Sequence, residues 1–183
     1  MAVEREGNGI RVVYGGELVA EACPSELDLD PAEPVDFAEA QRLADAHGDD
    51  PDHPFPGCFV CGPKSEGLRL SPTPVGHGRL AAPWRVPEEF AVERFAWAAL
   101  DCPGGWAVQP DGSRGISVLG RLTARVDAAP DPGDECVVVA WPLGEPGGRK
   151  RHAGTALYRG DTLLALGRAI WFTMDEAIRA ISR

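Results

Sequence analysis

Residues 87–100 constrain the fold more than any other part of the chain, because they read as a helix with almost no polar face. Pro87 supplies the fixed φ that suits a first helical turn. Glu88 and Glu89 set negative charge against the positive end of the helix dipole, and the run that follows is rich in Ala, Phe and Trp. A helix that is apolar nearly all round must be buried, and the most economical way to bury a single helix is to wrap it in sheet. The rest of the chain supplies strands. Their patterns fall at 67–70, 78–86, 116–127, 134–141, 149–158 and 162–172, separated by turns rich in Gly, Pro and Asp. A turn at Pro72-Thr73-Pro74 makes the first two a hairpin. Arg159-Gly160-Asp161 is too short for a crossover and makes the last two another, and the short links predict an antiparallel meander. Thr173-Met174-Asp175-Glu176 spells a capping box, which predicts a closing helix to Arg183.

Ahead of this block the pattern is looser. Residues 1–34 offer Ile10-Arg11-Val12-Val13-Tyr14, a Gly15-Gly16 turn and Leu18-Val19-Ala20, then an acidic, proline-containing run, and so predict a loose hairpin or an edge appendage. Phe37, Ala40, Leu43 and Ala44 then recur at helical spacing, with Asp36 as N-cap and Gly48 as stop. The three prolines at 51, 54 and 56 exclude regular structure beyond it. The expected organisation is an N-terminal extension, 1–48, that adds a strand and a helix to the edge of a main domain, 49–183.

At 183 residues the chain fits one ordinary domain, able to bury roughly 70% of its unfolded surface without metals or disulfides. No apolar run approaches the roughly 20 residues of a membrane-spanning helix. The first six residues contain two acids where a signal peptide needs a basic region, so the expected location is cytoplasmic and the expected state of the five cysteines reduced. A formal charge of −10 argues against nucleic acid as a partner, since phosphate backbones repel an acidic body.

Cys58-Phe59-Val60-Cys61-Gly62 followed by Gly67-Leu68-Arg69-Leu70, and Trp97-Ala98-Ala99-Leu100-Asp101 followed by Cys102-Pro103-Gly104-Gly105-Trp106, resemble two segments of the 4-hydroxybenzoyl-CoA thioesterase-like superfamily. Gly120-Arg121-Leu122-Thr123 sits where that family places its next strand, and the resemblance spans roughly residues 53–173. It implies an α+β hotdog fold, in which an antiparallel sheet of five to six strands wraps a central helix. It also implies a homodimer formed by joining sheets, and hydrolysis of an acyl-CoA or acyl-carrier thioester without a cofactor. Asp101 takes the place of the family's catalytic carboxylate, which activates water or attacks the thioester directly.

The residues around Asp101 admit two roles. Trp97 and Trp106 offer an apolar wall and Gly104 and Gly105 bare backbone, a setting that raises a carboxylate's pKa and lets substrate approach. Yet Pro103 cannot continue a helix, so Asp101 can equally cap a new turn. The sequence also departs from the family. Where many members carry a His-Gly-Gly loop that polarises the carbonyl, this chain has Val92-Glu93-Arg94. Either another amide, at Gly104 or Gly105, takes over, or the domain is a non-catalytic module that binds acyl-CoA or a small lipid. His53 lies too far upstream of Asp101 to form the histidine–acid pair of hotdog dehydratases.

Two clusters remain. Cys58-x-x-Cys61, with His53 upstream, permits a zinc site completed by Cys23 or Cys102. A structural zinc centre ordinarily shows a second matching pair, however, so no metal is expected, and Cys58, Phe59 and Val60 are read as anchors of the linker to the sheet. Arg149-Lys150-Arg151-His152 is the one dense basic cluster. It reads as solvated charge at a strand start or, with Arg149 and Arg151 on one strand face, as a binder of coenzyme A phosphates. Arg121 and Arg125 would extend that patch or line a subunit interface.

Overall fold

In the computed structural model, residues 1–109, 116–144 and 148–174 are described. Six strands form one antiparallel sheet: β4 (Thr73–Gly76), β5 (Arg79–Arg85), β6 (Ser117–Val126), β7 (Glu135–Leu143), β8 (Lys150–Arg159) and β9 (Thr162–Thr173). Their order across the sheet is β4-β5-β7-β8-β9-β6. The tight turn at Gly160 (φ 55°) makes β8 and β9 the expected hairpin. The meander is corrected at β6, which crosses to the far edge and pairs with β9 while β7 pairs with β5.

Residues 67–70 are not a strand of this sheet. Arg69 has φ of 53°, which breaks an extended run, and the segment bonds to the cysteine loop instead, Leu68 N–H donating to the Phe59 carbonyl and Leu70 N–H to Val60, both at 2.8 Å. Thr73 and Pro74, expected in a turn, open the edge strand β4, where the proline's missing donor costs no ladder bond.

The helix expected over 87–100 is two pieces, a 3-10 turn at Glu88–Phe90 and α2 (Glu93–Ala99), and a further helix, α3 (Cys102–Ala107), follows it. Pro103 falls in the first turn of α3, where its missing N–H does no harm, and the chain breaks at Leu100 and Asp101. The Leu100 carbonyl accepts from the buried Thr155 hydroxyl at 2.9 Å, which fixes the break to β8. Nor is the helix apolar all round. Ala96, Ala99 and Leu100 are buried, while Glu93, Arg94 and Trp97 are exposed. Small residues let α3 lie flush on the sheet: a Cβ at Gly104 would meet Thr155 and Ala153, and one at Gly105 would come within 2.9–3.1 Å of the Trp171 ring.

Both sheet faces are covered, which accounts for the unbroken burial of residues 136–140 in β7. Cys136, Val138, Leu157 and Trp84 face α2 and α3, together with Val60, Leu68 and Leu70. Val137, Val139, Ala156 and Leu166 face the other way, against Val35 and Ala40. Ala40 belongs to α1 (Phe37–His47), which has the expected caps: Asp36 accepts from the Glu39 N–H, and Gly48 closes on the Ala44 carbonyl. This helix packs on β4, β5 and β7, so it covers the face of the sheet and not merely its edge.

At the N-terminus, β1 (Ala2–Glu6), β2 (Gly9–Tyr14) and β3 (Glu17–Ala22) form a separate antiparallel sheet, one strand more than the expected hairpin. The extra strand, Ala-Val-Glu-Arg-Glu, is charged and fully exposed, and so carries no burial pattern that sequence periodicity could register. The closing helix expected to Arg183 falls largely on 175–183, outside the described residues. Among the described residues no helix is long and apolar enough to cross a membrane.

Candidate active site

Where α2 breaks into α3, Asp101 lines a cleft of about 220 Å³. Gly105, Trp106, Gln109 and the three cysteines Cys58, Cys61 and Cys102 line it with Asp101; Ser117, Val118, Leu119 and Trp171 close it from β6 and β9. Gly120, at an irregularity in β6 where a Cβ would run into Phe172, bends the strand beside the cleft. A second hollow of about 280 Å³, lined by His53, Arg69 and Ser71 and by His47, shares Cys61 and Trp106 as a common wall.

Asp101 occupies the N-cap position of α3, but its side chain makes no capping bond. Its Oδ1 is buried without a hydrogen-bond partner among the described residues. Burial pushes its pKa up to about 6, and the neighbouring Cys61 adds to the rise. Cys61 itself is held down at about 5, chiefly because the Cys102 thiol donates to it, against the opposing effect of burial and with help from the Trp106 side chain. Donating to Cys61 in turn raises Cys102.

Asp101 is not the one unsatisfied group. Gln109 Oε1, Ser117 Oγ and Trp171 Nε1 are also buried without a partner among the described residues, and all three residues line the same cleft. Sequence reasoning missed them. Each is a single residue in an unremarkable local pattern, and only tertiary packing makes it polar, buried and unpaired.

Of the residues singled out from sequence, the fold gathers Asp101, Gly105 and Trp106 at one cleft. Trp97 stands 38% exposed on α2 and is not in its lining. Gly104 is buried against Ala153, Thr155 and Trp171, and its N–H is already committed to the Asp101 carbonyl at 3.0 Å. Arg151 donates to the Val108 carbonyl at the end of α3, 2.9 Å away, while Arg149 is exposed. Cys102 meets Cys58 and Cys61, and Cys23 is exposed beyond β3. Of the anchoring trio, Val60 and Cys58 pack in the core, whereas Phe59 is 44% exposed and packs on Phe90 and Phe95.

No family model and no curated protein matches the sequence. Solved structures do match the fold. An uncharacterized protein, PH1136, from Pyrococcus horikoshii superposes with a TM-score of 0.53 at 20% identity, covering 64% of this chain and 92% of its own. A conserved protein, PA5202, from Pseudomonas aeruginosa gives 0.51 at 20% identity, covering 58% and 90%. Cj0977, a sigma28-regulated virulence protein from Campylobacter jejuni, gives 0.53 at 15% identity, covering 66% and 95%. The chain shares the fold of these structures, the hotdog fold. In that frame α2 and α3 take the place of the central helix, and Asp101 sits at its broken middle.

Proposed function

We propose that this hotdog domain hydrolyses an acyl thioester of coenzyme A or of an acyl carrier in the Asp101 cleft. The observation that carries the reading is that four residues lining one largely apolar hollow, Asp101, Gln109, Ser117 and Trp171, each bury a polar atom with no partner among the described residues. Each such atom costs about 1–3 kcal/mol if it stays unpaired, so a polar ligand that reaches them would recover stability the fold gives up. A thioester suits the set. The Ser117 hydroxyl and the Trp171 indole N–H are unspent donors for its carbonyl oxygen, the task of the missing His-Gly-Gly loop, which the committed Gly104 N–H is not free to perform.

Asp101 then acts as general base. It takes a proton from water as the water oxygen bonds to the carbonyl carbon, and returns that proton to the sulfur as the C–S bond breaks, leaving a carboxylic acid and a thiol. The exposed Arg149 offers positive charge to the phosphates of coenzyme A. The working unit is a homodimer. β6 pairs with β9 on one side only, and its exposed Val118 and Leu119 line the cleft, so a partner's sheet joined at β6 would complete the site.

The test is thiol release from a panel of short, long and aromatic acyl-CoAs. The wild-type chain should turn over at least one class, and the Asp101→Asn chain should do so at least about 10²-fold more slowly. Saturable binding without thiol release would replace hydrolysis by the binding-module reading.

A further inference from the structure

We infer that Cys58, Cys61 and Cys102 bind a zinc ion through their three sulfurs, with the fourth coordination position open to the cleft. The three Sγ atoms lie within 4.8 Å of one another, and Cys58 and Cys102, 44 residues apart in sequence, stand at 3.6 Å. A tetrahedral ion with bonds of about 2.3 Å holds its sulfurs about 3.8 Å apart, so the cluster needs only a small contraction to close on one. Such a convergence of soft donors selects a thiophilic ion over the oxygen-seeking calcium or magnesium.

The backbone supports the assignment independently. Cys58 and Cys61 sit on a tight loop in which Cys58 N–H donates to the Phe55 carbonyl at 2.9 Å and Gly62 N–H to the Cys58 carbonyl at 2.8 Å. A Cβ at Gly62 would stand 2.5 Å from both Cys58 N and the Pro56 carbonyl oxygen, so no other residue fits after the second cysteine. The loop is then pinned by the Leu68 and Leu70 bonds to Phe59 and Val60. These contacts fix two sulfurs as a pair, and the break before α3 delivers the third.

His53, the ligand the sequence suggests, is excluded by its tautomer. Its Nδ1 accepts from the Phe55 N–H at 3.0 Å, so in the neutral ring the proton resides on Nε2, which is buried without a partner among the described residues. An N–H cannot ligate. Among the described residues no carboxylate or imidazole joins the close cluster, and the three sulfurs line the cleft with Asp101, so the remaining position faces that space. Three protein ligands and one open position are the arrangement of zinc sites that take an exogenous ligand. The sequence reading of no metal is set aside by this inference, because the missing partner of the Cys58–Cys61 pair is a single cysteine on a distant helix.

The probe is cobalt(II), titrated anaerobically into the reduced full-length chain, followed by zinc. Uptake should saturate at about one equivalent, with sulfur-to-cobalt charge transfer in the near ultraviolet and intense visible bands of a four-coordinate ion, both erased by zinc. Cys58→Ser and Cys102→Ser should each weaken uptake at least about tenfold, and Cys23→Ser should leave it unchanged. Failure of the reduced wild-type chain to take up cobalt would overturn the inference, and so would an unaltered titration in Cys102→Ser. A Cys58–Cys102 disulfide in untreated protein, with no metal uptake after reduction, would overturn it too and make the cluster a redox pair. The wild-type titration decides the matter even where a cysteine variant does not fold. Because the readout is spectroscopic, the zinc site and the thioester reading can fail separately.

Discussion

On the outer face of the sheet the polar group that comes indoors finds a partner, the Tyr158 hydroxyl donating to the Ala32 carbonyl at 2.6 Å, and at the surface Arg79 donates to the Glu33 carbonyl at 3.0 Å. On the inner face the Thr155 hydroxyl is paired with the Leu100 carbonyl, but Asp101, Gln109, Ser117 and Trp171 bury polar atoms without a partner among the described residues, as does Trp84 away from the cleft. The same strands build both faces, since Val137 and Val139 point outward where Cys136 and Val138 point inward. The contrast therefore arises from what is laid against each face. An extended segment and α1, with free backbone carbonyls to offer, cover one. A broken helix of small residues covers the other and leaves room beside it. One face is spent on holding the fold, and the other gives up stability where a ligand can recover it.

That contrast can be broken by substitution on either side. Leu166→Ala, which empties a fully buried position of the outer core, should lower stability by about 2–5 kcal/mol in chemical denaturation while the folded fraction keeps its thiol-release activity. Loss of activity in the folded protein would show that the faces are not separable. Gly105→Ala pushes a methyl against the Trp171 ring and should cost about 1–3 kcal/mol; unlike the outer-face change, it should also raise KM by moving a wall of the cleft. Tyr158→Phe removes one paired bond and should cost about 1 kcal/mol with kinetics unchanged. The smallest effect concerns Cys136. It is fully buried, and burial pushes its thiol up to about 12, so in the native protein it should resist a thiol reagent that labels the exposed Cys23 within the mixing time.

What the sequence made legible follows the same division. Local chemistry announced α1, because Asp36 and Gly48 are capping residues at the two ends of one apolar stripe, and it announced the β8–β9 hairpin through a turn too short for anything else. That the helix is interrupted near Pro103 was legible for the same reason, since a missing N–H is a local fact, although the break itself falls at Leu100 and Asp101. The crossing of β6 was not. Strand order is set by which side chains fill the space under α2 and α3, and no short window records it. Asp101 could be singled out because a resemblance pointed to it, whereas Ser117, Gln109 and Trp171 became notable only when the fold left them unpaired together. The approach of Cys102 to Cys58 spans 44 residues and depends on where the helix breaks, which pattern alone does not locate in space.

The central claim is that Asp101 serves a reaction and not the fold, and Asp101→Asn tests it when activity and melting temperature are measured on the same sample. The carboxylate caps nothing and burial penalises its charge, so a neutral amide of the same size should leave the melting temperature unchanged or raise it, while thiol release falls at least about 10²-fold. Wild-type turnover in the variant, or a loss of activity that merely tracks a lower melting temperature, would contradict the account.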